Sequence, residues 1–230
     1  MKHKPSITLL LLATFLLAQF VGLWVVYNYI DVEKTAATGK TMFKDLPVGE
    51  RPPVQEKTSF VPIMIAILIG TGILLLLIKF HLEWLWKTWF FIAIVIALTI
   101  SFSAFTFDMA SFVLALVLGA WKLFKPNFWI QNITEVFIYG GLAAIFVPML
   151  NVFSVVMLMI LIAGYDAYAV WKAKHMIQLA QSQAKAKMFA GLLIPYKMGK
   201  GKVTGAKGKG AKVVEQRTAI LGGGDIGFPL

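Results

Sequence analysis

Asp166 and Asp225 are the two acids whose surroundings could turn a carboxylate into a catalyst. Asp166 stands in Gly-Tyr-Asp-Ala-Tyr-Ala-Val (164–170), and Asp225 closes Gly-Gly-Gly-Asp (222–225), both within apolar stretches. A carboxylate near the centre of a bilayer costs roughly 2.5–3.5 kcal/mol on insertion scales, so such residues point to function by default. Two carboxylates a few ångströms apart do not both ionise cheaply, and one keeps a proton near neutral pH. The ionised member can then take a proton from water while the protonated one hydrogen-bonds a carbonyl oxygen. Such a titration belongs to the pair rather than to either residue.

Each half of this pattern has a plainer reading when taken alone. Asp166 by itself is equally a structural carboxylate bonded to a neighbouring helix or a proton-relay residue of a transporter. Gly222–Gly224 alone would be a breaker between a loop and a helix. Together with Asp225 they remove side-chain bulk, allowing close approach of another helix or of an extended backbone.

Rival chemistries fail on residue type. The chain of 230 residues has no cysteine, which excludes disulfides, thiolate catalysis and Cys-ligated metals. His3, His81 and His175 are scattered, and no His-Glu-x-x-His occurs, so a zinc peptidase site is absent from the pattern. No serine has the Gly-x-Ser setting of a serine nucleophile. Gly39-Lys40-Thr41 ends like a phosphate-binding loop, but Lys34 occupies the position of its first glycine. No metal or organic cofactor is expected.

The elements that must position the two aspartates are membrane helices. The chain is 59% hydrophobic, with a mean hydropathy of +0.77, more apolar surface than a soluble domain of this size can hide. The pattern predicts an all-α, polytopic protein with six full spans, at about 7–29, 59–80, 88–107, 109–121, 132–147 and 152–171. These make a bundle over 1–171, followed by a basic flexible loop over 172–217. The first apolar run is about 20 residues and lacks an Ala-x-Ala site, so it reads as a retained helix rather than a cleaved leader. Glu83 is placed in a turn, Asp108 at a boundary and Glu135 in a first helical turn, all three structural. No sequence feature singles out Tyr139 or Tyr168.

The net charge is +11, and Lys172 to Arg217 contribute 11 basic residues against the one acid Glu215. That excess, with Lys2, Lys4, Lys79, Lys87, Lys122 and Lys125, falls on one face of a six-span arrangement. The charge-balanced segment Asp31–Thr58, Asp108 and Asn151 fall on the other. The positive-inside rule then puts the N-terminus and the 172–217 loop in the cytoplasm of a multi-pass cell-membrane protein. Gly199–Lys212 is rich in Gly and Lys and reads as a solvated segment that can meet anionic lipid headgroups. No aromatic residue interleaves it, which argues against nucleic acid as a partner.

Residues 218–230 turn apolar again and read as the start of a seventh helix. On that reading Asp225 is ~12 Å into the membrane from Arg217, and Asp166 ~9 Å from Lys172, on helices that meet the same loop. Both carboxylates therefore fall at similar depth, as a shared water requires.

Tyr165-Asp166 in a sixth span, followed by Gly222-Gly223-Gly224-Asp225 opening a seventh, resembles the presenilin/signal-peptide-peptidase family of intramembrane aspartyl proteases. The family pattern is Tyr-Asp and then Gly-x-Gly-Asp, with Gly223 at the variable position. Tyr165–Val170 and the following Lys172-Ala-Lys-His-Met176 look most like the archaeal branch. The resemblance implies a nine-helix fold, Asp166 and Asp225 as catalytic residues, and Tyr165, Gly222 and Gly224 as motif-supporting residues. It implies single-span membrane proteins or signal peptides as substrates, cut within the membrane, and the charge pattern matches presenilin orientation. The family also has a Pro-Ala-Leu motif in a ninth helix, which Pro229-Leu230 is not, so the expectation is a truncated chain, inactive as written. The alternative is a non-enzymatic membrane protein, such as a proton-coupled transporter or a scaffold. An inverted-repeat transporter should show two similar halves, and no such repeat is visible.

Overall fold

The computed structural model describes residues 5–172, 190–195 and 218–230. Helix α1 (Pro5–Asn28) opens on a proline, whose fixed φ suits a first turn. A short helix α2 (Val32–Thr38) follows, capped by Asp31, whose Oδ1 accepts from Lys34 N at 3.1 Å. That backbone hydrogen bond, with Lys34 itself and Lys44 beside it, holds the Asp31 carboxyl below the usual carboxylate range. Gly39 ends α2 at φ 68°, a left-handed conformation that needs no Cβ. Next come α3 (Phe60–Lys79), α4 (Glu83–Ser103), α5 (Asp108–Phe124), α6 (Phe128–Phe146) and α7 (Val152–Trp171). A 3-10 turn, Val147–Met149, joins the last two, and Asn151 caps α7 by accepting from Ser154 N.

Among the described residues five helices are long and apolar enough to cross a membrane: α1, α3, α4, α6 and α7. The remaining long helix, α5, has 17 residues and reaches only ~25 Å. The protein is a mostly helical, polytopic membrane protein.

Several boundaries differ from the sequence expectation. The third long helix begins at Glu83 rather than Thr88, so Glu83 opens a helix and does not lie in a turn. The fourth extends to Phe124 rather than stopping at Trp121. The fifth begins at Phe128 rather than Asn132, because Asn127 Oδ1 accepts from Trp129 N at 2.8 Å and fixes the first turn there. Glu135 is consequently interior to α6, not in its first turn, and it is 1% exposed.

The largest difference lies at the seventh segment. Thr218–Gly222 is a strand, β2, paired antiparallel with a strand β1 (Gly191–Pro195) in register Gly191↔Gly222 to Pro195↔Thr218. Helix resumes only at α8 (Gly223–Gly227). A five-residue apolar run does not distinguish strand from helix by periodicity, and only its partner decides. That partner sits inside the segment read from sequence as a flexible basic loop. The rest of that segment, 173–189 and 196–217, lies outside the described residues.

α6 is the central helix, packed lengthwise against α1 and α4, while α5 packs along α4 and also meets α6. Small residues permit these crossings. A Cβ on Gly141 would stand 2.0 Å from Ala97 O, and one on Gly140 would stand 3.0 Å from Val25 and 3.4 Å from Gly22 Cα. The hairpin β1–β2 presents Leu192, Ile194, Ala219 and Leu221 to α1 and α6, where Ile7, Ala18, Val136 and Tyr139 meet them. α7 packs instead on α3, through an edge-to-face contact of Phe60 with Phe153 and a hydrogen bond from Ser154 Oγ to Glu56 O. The loop after α2 is pinned by Arg51, which donates to Lys44 O at 2.7 Å and to Ala144 O at 3.2 and 3.3 Å.

Candidate active site

Asp166 lies on α7 five residues before its last, about 8 Å from that end along the axis. Asp166 and the neighbouring Tyr165 are half-buried. Asp225 lies in the single long turn of α8, exposed, immediately after β2. Ile226 holds α8 in place: it is fully buried among Ala18, Tyr139 and Leu192, and its carbonyl accepts from Gln19 Nε2 at 2.9 Å. Gly223 N donates to Ala190 O at 3.2 Å, which extends the hairpin pairing by one step up to the residue before Gly224-Asp225.

The two aspartates come from separate parts of the bundle, Asp166 from α7 and Asp225 from the helical turn that follows β2. Among the described residues no three His, Cys, Asp or Glu group together as metal ligands would.

The three glycines have unequal surroundings. A Cβ on Gly222 would meet Asp225 Oδ2 at 3.4 Å, and one on Gly224 would meet the Phe228 ring at 3.7 Å, both ordinary contacts. A Cβ on Gly223 would stand 2.8 Å from Tyr139 Oη and 3.3 Å from Ala190 O. The most confined glycine is thus the middle one. Tyr139 is itself 4% exposed, and its hydroxyl lacks a hydrogen-bond partner of good geometry among the described residues.

Tyr139 belongs to a polar stripe on α6 that the sequence did not single out. Gln131, Glu135 and Tyr139 recur every four residues, so they share one helix face. Glu135 pairs with Lys122 of α5, and both side chains are nearly fully buried. Lys122 is therefore not a helix-ending residue reaching for the interface, as its place in the charge pattern suggested. Gln131 Nε2 donates both to Glu135 Oε1 at 3.0 Å and to Gly191 O at 3.1 Å. Asn132 donates to Leu193 O at 2.8 Å and accepts from Leu193 N at 2.9 Å. The signal for Gln131, Asn132 and Glu135 was available: three polar side chains at helical spacing inside an apolar span, with a lysine just before it.

Residues 36–230 match the family described as signal-peptide peptidase, presenilin aspartyl protease. The chain belongs to that family. Two solved structures are similar, both described as a presenilin family intramembrane aspartate protease, in C222 and P2 space groups. They share 24% and 23% identity, cover 76% of this chain each and 68% and 69% of their own, with TM-scores of 0.49 and 0.48. No curated protein matches the chain. Asp166 and Asp225 both lie within the family match, as do Tyr165, Gly222 and Gly224.

Proposed function

We propose that this family member is an intramembrane aspartyl endopeptidase in which Asp166 and Asp225 form the dyad. The observation that carries the reading is that Tyr165-Asp166 on α7 and Gly222-Gly223-Gly224-Asp225 at the end of the hairpin both lie within the residues that match the family. In the reaction the ionised aspartate removes a proton from water, and the water oxygen bonds to the scissile carbonyl carbon. The protonated aspartate hydrogen-bonds the carbonyl oxygen and transfers its proton as the tetrahedral diol forms. Collapse of the diol breaks the C–N bond, and a proton passes to the departing amine, leaving a new carboxyl and a new amino terminus. No covalent enzyme intermediate forms.

The substrates we assign are single-span membrane proteins or signal-peptide remnants. A helical span hides its carbonyls in its own hydrogen bonds, so the cut requires extended backbone. β2 leads directly to Asp225, and Ile220 on it is exposed, whereas Asn132 covers Leu193 on β1. A peptide strand added there would run toward the aspartate. Tyr165, Gly222 and Gly224 support the motif around the two acids. We place the N-terminus and the basic residues on either side of β1 on the cytoplasmic side, where their lysines meet anionic lipid.

The test is cleavage of a single-span substrate reconstituted with the protein in lipid, with products identified by mass. Asp166→Ala and Asp225→Ala should each abolish cleavage while leaving insertion intact. Each should also lose binding of a hydroxyl-bearing peptidic transition-state mimic. Undiminished cleavage in either variant would sink the dyad.

A further inference from the structure

The β1–β2 hairpin presents a problem of backbone chemistry. In a two-stranded sheet each strand has one row of N–H and C=O groups turned away from its partner. Within a membrane protein, where water is scarce, every such group left unpaired costs several kcal/mol. The register and Leu193's bonding to Asn132 make 193↔220 and 191↔222 the pairs whose amides point outward. On β1 those outward groups are met by α6. Asn132 offers Leu193 one donor and one acceptor, as the peptide group of a third strand would, and Gln131 covers Gly191 O.

Gln131 is held in turn. Its amide also donates to Glu135, whose carboxylate is neutralised by Lys122 from α5. The chain of contacts therefore runs from α5 through α6 to β1, and from β1 across the sheet to β2, Gly223 and Asp225. A helix side chain that bonds both backbone groups of one strand residue fixes strand position along the helix, because no other residue can be served without a shift of two. Such a shift is about 6.6 Å.

We infer that Asn132 and Gln131 are positioning residues that lock the register of the β1–β2 hairpin on α6 and so set where Asp225 stands. The catalytic consequence rests on the dyad reading, whereas the register lock does not. It predicts that Asn132→Leu, similar in size but unable to bond Leu193, frees the hairpin to slide or tilt. Asn132→Gln keeps both bonding groups and restores the parent behaviour in part. Gln131→Leu has the same direction of effect as Asn132→Leu and serves where that variant fails to insert.

The chain has no cysteine, so paired labels need no background removal. Spin labels at Ile133→Cys on α6 and Ile220→Cys on β2, both exposed in the parent, report the hairpin position by electron–electron distance measurement in lipid nanodiscs. The expected result is a narrow distribution in the parent and a broadened or displaced one, by several ångströms, in Asn132→Leu and Gln131→Leu. Cleavage by the same variants should fall at least tenfold in kcat with KM changed by less than about threefold, and Asn132→Gln should recover part of the rate. A label distribution unchanged in both leucine variants overturns the lock, whatever their activity. A changed distribution together with cleavage that survives Asp225→Ala leaves the lock standing and removes the dyad.

Discussion

Tyr139 and Gly223 form the tightest fit around the candidate dyad. The hydroxyl of Tyr139 fills the space that any side chain at residue 223 would need. Gly223→Ala should therefore lower stability by about 1–3 kcal/mol, the usual range for overfilling a packed site. Tyr139→Phe removes the obstructing oxygen and should recover part of that loss, so the two substitutions are non-additive when thermal unfolding is measured in detergent. Gly222→Ala and Gly224→Ala, whose nearest neighbours stand at 3.4 and 3.7 Å, should unfold within about 1 kcal/mol of the parent. Equal losses at all three positions would contradict the packing argument. The two aspartates and the glycine run were legible in sequence because their residue types are rare in apolar stretches. The role of Tyr139 was not, because one tyrosine among many aromatics carries no mark of which neighbour it faces.

At the scale of elements, α6 does more than cross the membrane. Its polar stripe combines a buried ion pair to α5 with hydrogen bonds to a strand, and the two are joined through Gln131. Glu135→Ala would leave Lys122 buried without its counter-charge, a loss of roughly 3–5 kcal/mol. The pairwise replacement of Lys122 by Met and Glu135 by Leu should restore most of it, since apolar pairs of similar volume often match a buried ion pair. Comparing the apparent unfolding temperatures of the single and paired variants checks this, and a paired variant as weak as Glu135→Ala would refute it. The order of the long helices was readable from hydropathy, but the expectation of six full spans meets five described helices long and apolar enough to cross a membrane, and Glu135 lies inside α6 rather than in its first turn. The polar residues Gln131 and Asn132 read as loop from composition, whereas the Asn127 cap starts the helix at Phe128 and buries them. The strand β2 escaped for a different reason. Ala219-Ile220-Leu221 reads equally as helix or strand, and its partner, Gly191 to Pro195, lies about 30 residues upstream amid lysines.

The whole molecule divides its two acids between unlike supports. Asp225 belongs to the assembly of α1, α4, α5 and α6 with the hairpin, whereas Asp166 rides on α7, which leans on α3. The first assembly is held by crossings that leave no space, and the Gly141–Ala97 contact is the closest of them. Gly141→Ala would drive a methyl group into a backbone carbonyl that cannot rotate away. It should destabilise by about 3 kcal/mol or more, at the upper end for overpacking. The same substitution at Gly70 or Gly72 of α3, where a Cβ meets nothing within 4 Å, should be tolerated and even raise helix stability by up to about 1 kcal/mol. Parallel unfolding curves for the three variants decide it, and similar curves would mean that the α4–α6 crossing is looser than described.

The pairing of Lys122 with Glu135 also bears on how the chain is made. The two charges lie thirteen residues apart, on helices joined by the short turn Lys125–Asn127. Presented singly to the bilayer, each span would carry an uncompensated charge. α5 is the shorter and less able to bear it, at 17 residues. Entering together as a helical hairpin, the two spans cancel each other's charge before any other helix arrives. Insertion of α5 and α6 as one helical hairpin would bury both charges as a pair, and the surface on which β1–β2 docks would be laid in the same step.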